Sequence, residues 1–247
     1  MTTEQYEELV ARVRERLPDW HAATGRPRAL SLEAAVRATC LYLRANVTED
    51  LIAEVHGADQ STISRVIAAL EEVIAEVLAE FVPPPAEMVR GRVPLVDGTL
   101  CPCWSWRNQP ELYSGKHKRT GFSVQILADL DGNLLAVSEP RPGSWHDTRA
   151  YTDVGFADLV GNTGIGDKGY VGTGLATPIK RRRGRDLTEA DRALNANLGK
   201  LRAPVERAIA NFKTWRILHT DYRRPAHTFP KALRAVTALH FFQTSFA

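Results

Sequence analysis

Asp97, Asp167 and Glu206 stand at places in the 247-residue sequence where a carboxylate is hard to read as ordinary surface charge. Asp97 follows the apolar run Val93-Pro94-Leu95-Val96, and Asp167 follows Gly164-Ile165-Gly166. Glu206 lies in Leu201–Leu218, where Val205, Ile209 and Phe212 recur at helical spacing. A carboxylate at the end of a buried strand costs free energy unless it is paired or holds a metal. Three such oxygen donors brought to one point bind hard divalent cations such as Mg²⁺. Two ions about 3.5–4 Å apart activate the attacking oxygen and stabilise the leaving one in phosphodiester displacement. Lys168 adjoins Asp167, and Arg202 and Lys213 flank Glu206 on its helix; these cations would hold phosphates. Taken alone, the helix also reads as a solvated face with an ordinary Glu–Arg pair. The surrounding elements decide between the two.

Those elements follow a definite order. RVPLVDGT (92–99) predicts a short buried strand ending in Asp97-Gly98. GFSVQILADLDGNLLAVSEP predicts a hairpin with strands at 121–128 and 134–138, and Asp129 and Asp131 as turn residues. RPGSWHDTRAY (141–151) turns into a helix whose first turn carries Asp147, and NTGIGDKGY (162–170) gives a weak strand closed by Asp167. TPIK (177–180) is a further short-strand candidate. TEADRALNANLGK (188–200) is a helix leading into Leu201–Leu218, a helix entered at Pro204, which suits a first-turn position. Adjacent strand ends crossed by a helix would gather Asp97, Asp167 and Glu206. Asp147 is the rival second acid. It ranks lower because it opens a helix after a turn, where a carboxylate also serves as an N-terminal charge.

Loop 100–120 carries Trp104, Trp106, Tyr113, Lys116, His117, Lys118 and Arg119, and RRRGR (181–185) is a basic loop. The C-terminal stretch from Ala226 reads as a packing helix, with Leu233, Val236, Leu239, His240 and Phe241 on or near its apolar side.

The first third is helical. A short amphipathic helix covers 4–17, and a linker holds Gly25 and Pro27. Ser31 caps a helix ended by Asn46, and Thr48 caps a second one closed by Gly57. After Ala58-Asp59 a third runs from Gln60 to Phe81. Leu51, Ile52, Val55, Ile63, Val66 and Ile67 are the expected core of a helix-turn-helix pattern. In that pattern Gln60, Ser61, Thr62, Ser64 and Arg65 open the second helix and face DNA. A plain helical bundle is the alternative, and the local charge favours it: residues 1–90 carry nine basic against fifteen acidic side chains. Residues 91–247 carry twenty-three against fourteen, and 173–247 fifteen against five, so the positive field surrounds Glu206 and suits a polyanion. Pro83-Pro84-Pro85 marks the domain boundary, giving expected domains at 1–82 and 90–247. Cys40, Cys101 and Cys103 lack zinc-knuckle spacing and read as reduced structural residues. No apolar run reaches membrane-spanning length and no signal peptide opens the chain, so a cytoplasmic protein is expected.

At this point the sequence resembles the DDE superfamily transposases of bacterial insertion sequences, in the branch that also resembles eukaryotic Harbinger nucleases. The resemblance rests on VDGT at Asp97, YSGKHKR at 113–119, PGSWHDTRAY at 142–151, GDKGY at 166–170, and the Arg202, Glu206, Lys213 spacing. Gly199 stands where the family often has a tyrosine. The resemblance covers roughly residues 30–220 and implies an α/β fold: an RNase H-like catalytic domain after a small all-α helix-turn-helix domain. It implies Asp97, Asp167 and Glu206 as catalytic and metal-binding residues, with 38 residues between the last two. Asp97 would bridge two Mg²⁺ ions, for which Mn²⁺ substitutes. Lys116, Lys118, Arg119, Lys168, Arg202 and Lys213 would join Gln60, Ser61, Thr62 and Arg65 on DNA. The implied activity is cleavage of double-stranded DNA at terminal inverted repeats and strand transfer into target DNA, by a homodimer or higher oligomer at the bacterial nucleoid. The rival readings are a domesticated or inactive DNA-binding relative and a helix-turn-helix transcription regulator.

Overall fold

The computed structural model describes residues 1–20, 28–104, 108–181, 183 and 186–245. The expected linker at Gly25 and Pro27, Trp106, and Arg182, Gly184 and Arg185 of the basic loop lie outside the described residues. In chain order the regular elements are α1 (Thr3–Arg16), α2 (Leu32–Ala45), α3 (Glu49–His56), α4 (Gln60–Val77), α5 (Pro85–Val89), β1 (Leu95–Pro102), β2 (Tyr113–Ser114) and β3 (Arg119–Ala128). There follow β4 (Leu134–Val137), β5 (Arg141–Pro142), α6 (Asp147–Asp153), α7 (Phe156–Val160), α8 (Glu189–Phe212) and α9 (Phe229–Ser245). The protein is thus mixed α/β with an antiparallel sheet. No described helix is long and apolar enough to cross a membrane.

The chain divides into two compact units, Met1–Val82 with Thr214–Ala247, and Pro83–Lys213. In the first, Ser31 and Thr48 accept N–H groups at the starts of α2 and α3, and Asn46 and Gly57 close those helices in the left-handed conformation. Gly57-Ala58-Asp59 then turns the chain into α4, which buries Ile63, Val66, Ile67, Leu70 and Ile74. The pattern differs from expectation at Leu51 and Val55, which are 49% and 69% exposed. Helix α3 has barely two turns, and only Ile52 and Ala53 reach the interior, leaving the i, i+4 pair on its outer edge. Helix α4 stops at Val77 and a 3₁₀ turn covers Ala79–Phe81 before the prolines. Residues 214–247, expected within a 90–247 domain, lie in this unit. Their burial explains it: α9 sinks Phe229, Leu233, Val236, Leu239 and Phe242, and Phe242 meets Phe81 edge to face at 4.9 Å. His240 is half-buried, and burial then the Arg44 charge lower its pKa to about 4, so it is a neutral packing residue.

In the second unit β3 is the hub. β1 pairs along one edge, and β2, β5 and β4 pair in turn along the other, all antiparallel. Beyond β1, single parallel bridges join Leu95 to Ile165 and Ile165 to Ala176. Strand alternation sends Leu95, Ala128 and Ile165 to one face, against Leu198, Val205 and Ala208 of α8. Val96 and Leu127 go to the other, with Tyr151, Phe156, Val160 and Tyr170. Three local expectations are corrected. β1 continues past Asp97, because Gly98 to Pro102 keep pairing with β3 down to Gly121. No strand forms at 177–180; the pairing falls earlier, at Ala176. Helix α8 runs unbroken from a capping box at Thr188 to Phe212, with Pro204 in its interior rather than at its start. Pro204 forgoes one bond to the carbonyl of Lys200, on an exposed stretch of the helix.

Candidate active site

The parallel bridge sets the site. Asp97 lies two residues beyond Leu95 and Asp167 two beyond Ile165, so the two acids stand side by side at neighbouring strands. Asp97 is held by its own turn of chain: its Oδ1 accepts the Gly98 N–H at 2.8 Å. Asp167 caps the 3₁₀ turn Lys168–Tyr170, accepting the Gly169 N–H at 2.6 Å. Tyr170, at the end of that turn, is fully buried and donates to Gln125 Oε1 at 2.6 Å. Its ring meets Tyr151 edge to face, which ties the turn to α6.

Helix α6 brings Asp147 to the same place. A Cβ built on Gly98 would lie 2.8 Å from Asp147 Oδ1, and one built on Gly169 would lie 2.8 Å from Asp167 Oδ1 and 3.0 Å from Asp147 Oδ2. Two glycines therefore let three carboxylates crowd around Asp97-Gly98 of β1 and the turn after Ile165. Burial pushes Asp97 up to about 6 against the pull of Arg202, and the neighbouring Asp167 and Asp147 carboxylates add to the rise.

Two cations answer this charge. Arg202, one face of α8 away from the core, sets its guanidinium 3.6 Å from Asp97 Oδ2, and its buried Nε has no hydrogen-bond partner. Lys116 donates to Asp147 Oδ2 at 2.9 Å. Partial burial works against the Lys116 charge, yet Asp147, with Asp167 and Asp97 behind it, holds its pKa above the ordinary lysine value.

The remaining candidates are placed as follows. Glu206 is solvent-exposed, one turn beyond Arg202 on α8. Lys213 is half-buried at the C-cap of α8 and donates to the Leu100 carbonyl at 2.7 Å, and burial lowers its pKa. Lys168 and Arg119 are exposed, and Lys118 is exposed in the left-handed conformation. In the first unit, Gln60, Ser61 and Arg65 are exposed on the first turns of α4 and Thr62 is half-buried. Arg65 donates to Ser61 at 3.1 Å and Gln60 to Glu49. Sequence reasoning missed Gln125 and Gly98. A polar residue, Gln125, inside the largely apolar strand 121–128 was the available signal; in the structure it is buried and faces Gly98.

Among the described residues no group of three or more His, Cys, Asp or Glu side chains is gathered tightly enough to hold a metal ion. Asp97 and Asp147 each face a side-chain cation, Arg202 and Lys116. The donor set itself is all carboxylate oxygen, the class that takes hard divalent ions. In this respect the residues fit such an ion.

Comparison with known proteins gives a consistent result. A family described as DDE superfamily endonuclease matches residues 96–240. The chain is 32% identical over 219 residues to a putative transposase for insertion sequence element IS112 of Streptomyces albus G, covering 87% of this chain and 82% of that protein. It is 23% identical over 231 residues to a probable transposase for insertion sequence element IS702 of Microchaete diplosiphon, covering 89% and 83%. No solved structure matches the chain.

Proposed function

The chain belongs to the DDE superfamily endonucleases, and from that premise we propose that it is a DNA transposase that cuts its element's terminal inverted repeats and joins the freed end to target DNA. The observation that carries this reading is the placement of Asp97 and Asp167 each two residues beyond the Leu95–Ile165 bridge, with Arg202 of α8, the helix that also bears Glu206, 3.6 Å from Asp97. Asp97, Asp167 and Glu206 would hold the divalent metal ions that the family generally uses, Mg²⁺ or Mn²⁺. Bound there, such ions lower the cost of charge on the attacking and leaving oxygens of a phosphodiester.

The chain's own residues do the rest. The Tyr170–Gln125 bond and the Gly169 N–H fix the Asp167 turn, so that carboxylate meets its partner without reorganisation. Arg202 faces Asp97 at 3.6 Å and would take a phosphate where another cation meets that charge. Lys116 does the same beside Asp147, which we rank as a neighbour of the triad rather than a member. Lys118, Arg119 and Lys168 offer exposed positive charge for the DNA backbone, whereas Lys213 braces Leu100 of β1 and acts on the site through that strand. In this reading the sheet and α8 form an RNase H-like domain. Helices α3 and α4 form the helix-turn-helix, with Gln60, Ser61, Thr62 and Arg65 toward the inverted repeat. Pairing two element ends requires at least a dimer.

The test is cleavage of a labelled duplex carrying the element's end, with Mg²⁺ or Mn²⁺, by wild type and Glu206→Gln. A cut at the end that vanishes in the variant while binding persists supports the reading. Binding without a cut by either protein points to a DNA-binding relative that has lost its activity. Cutting that survives the substitution means that the active site lies elsewhere than at Glu206.

A further inference from the structure

Next to the acids lies a cavity of about 280 Å³ that the triad does not use. Its walls come from Gly98 to Leu100 of β1, Ser123 of β3, the turn Ser114–His117, and the turn Gly143–Asp147. Asp147 and Lys116 border both the cavity and the acid cluster. We propose that this cavity is a nucleotide subsite, receiving one unstacked base of the DNA strand beside the phosphodiester to be cut. The inference rests on the nuclease reading above and names where that strand goes.

Three observations carry it. The first is the chemistry of the wall. Hydroxyls of Ser114, Ser123 and Ser144, the imidazoles of His117 and His146, and the indole of Trp145 are groups that donate, accept and stack. Burial and the adjoining Lys116 charge depress the His117 pKa, so its ring is neutral and offers one donor and one acceptor. The Asp147 carboxylate at the cavity's edge is an acceptor suited to the exocyclic N–H groups of a base. The second is the stacking surface. The Arg149 guanidinium lies 3.7 Å over the centre of the Trp145 ring and fixes the indole at the cavity's side. The third is size. Pockets for drug-sized ligands run about 300–1,000 Å³, so this one, at the low end, has room for a single base. Enzymes acting on nucleic acid pay the unstacking cost and recover part of it in such pockets.

The floor is built to stay open. Gly143 donates to the Gly121 carbonyl at 3.0 Å, and any side chain there would run into the carbonyls of Gly121 and Leu112. The two strands of chain that frame the cavity are thereby held at backbone contact.

The experiment uses the full chain and two probes: a blunt duplex, and the same duplex with a short single-stranded overhang carrying 5-iododeoxyuridine. Irradiation followed by mass spectrometry maps the cross-link, and titration gives the ratio of overhang to blunt affinity. We expect the label on Trp145 or another wall residue of the cavity. Trp145→Ala should lower the overhang-to-blunt ratio by about five- to a hundredfold, the worth of one base–aromatic stack. Trp145→Phe, which keeps a ring, should retain most of it. Ser144→Trp, at an exposed rim position, should fill the mouth and abolish the cross-link. A label mapping outside the cavity, or an unchanged ratio in both Trp145→Ala and Ser144→Trp, overturns the subsite while leaving binding and cutting intact. Failure of wild type to bind either duplex overturns the nuclease reading and the subsite together.

Discussion

At Gly98 the backbone of β1 passes so close to Asp147, Gln125 and Tyr170 that a single methyl group would disturb all three. The added Cβ would lie 2.8 Å from Asp147 Oδ1, 3.0 Å from Gln125 Nε2 and 3.3 Å from the Tyr170 hydroxyl. The cost is contact, since this glycine is not in the left-handed region. Gly98→Ala should therefore loosen the buried Tyr170–Gln125 hydrogen bond, a loss of about 1–3 kcal/mol when such groups go unpaired. It should also push Asp147 from Lys116. We expect a lower melting temperature and, in single-turnover cleavage of an end-bearing duplex, a rate reduced even at temperatures where the variant is folded. A variant that melts and cuts like wild type would show that the acids tolerate displacement. Asp97 and Asp167 stood out in the sequence because each carboxylate follows an apolar run, although β1 does not end at Asp97 as that pattern suggested. The approach of Asp147 did not stand out. It depends on two glycines, Gly98 and Gly169, and on α6 being tied down by Tyr151 and Tyr170, contacts between residues far apart in the chain. Arg202 was equally opaque: helix spacing offered it Glu206, and the fold gave it Asp97.

Elements were legible where local chemistry defines their ends. Ser31, Thr48, Asn46 and Gly57 act as caps in the structure because each satisfies a terminal group or adopts the left-handed turn by itself. Ends set by distant partners were not legible, as in β1, whose length is fixed by β3. The same holds for the bond between α3, α4 and the C-terminal segment. Arg224 reaches Glu71 of α4 at 2.8 Å and Glu49 of α3 at 3.5 Å, and Glu71 is fully buried. Burial raises the Glu71 pKa to about 7 against the pull of Arg224. A carboxyl raised above its unfolded value binds extra protons when folded, so its stabilising contribution is present at low pH and lost as pH rises through about 7. Arg224→Met removes the counter-charge and leaves an ionised carboxylate buried. Above neutrality this should cost about 3–5 kcal/mol; below pH 6 or so, where Glu71 takes up a proton, the penalty should shrink. Urea unfolding of wild type and variant on either side of neutrality checks this. A penalty that is the same at both pH values would mean that Glu71 is not the group left exposed to the change.

On the scale of the whole molecule, the chain leaves its first unit at Pro83 and comes back to it at Thr214. Sequence could not show the return, because the amphipathic pattern of α9 says that one face is buried and not against what. The returning stretch brings Trp215, Ile217, Leu218, Tyr222 and Phe229 into the interior, together with Leu233, Val236, Leu239 and Phe242. Each such side chain is worth about 1.5–3 kcal/mol when buried, and a domain is held together by only about 5–15 kcal/mol. The first unit therefore depends on chain synthesised after the second. The second unit does not have the mirror-image debt: both faces of its sheet are covered by residues between Met88 and Phe212. A fragment of residues 83–213 should then melt cooperatively and give dispersed amide resonances, whereas residues 1–82 alone should show helical circular dichroism without a sharp transition. A sharp melt from 1–82 would mean that α1 to α4 close their own core without α9. A fragment 83–213 that stays unfolded would mean that the sheet needs the first unit as well. If the expected pair of outcomes holds, the helices proposed to read the inverted repeat can pack into their final arrangement only after the acids proposed to cut it are already in place, since residues 214–247 leave the ribosome after residues 83–213.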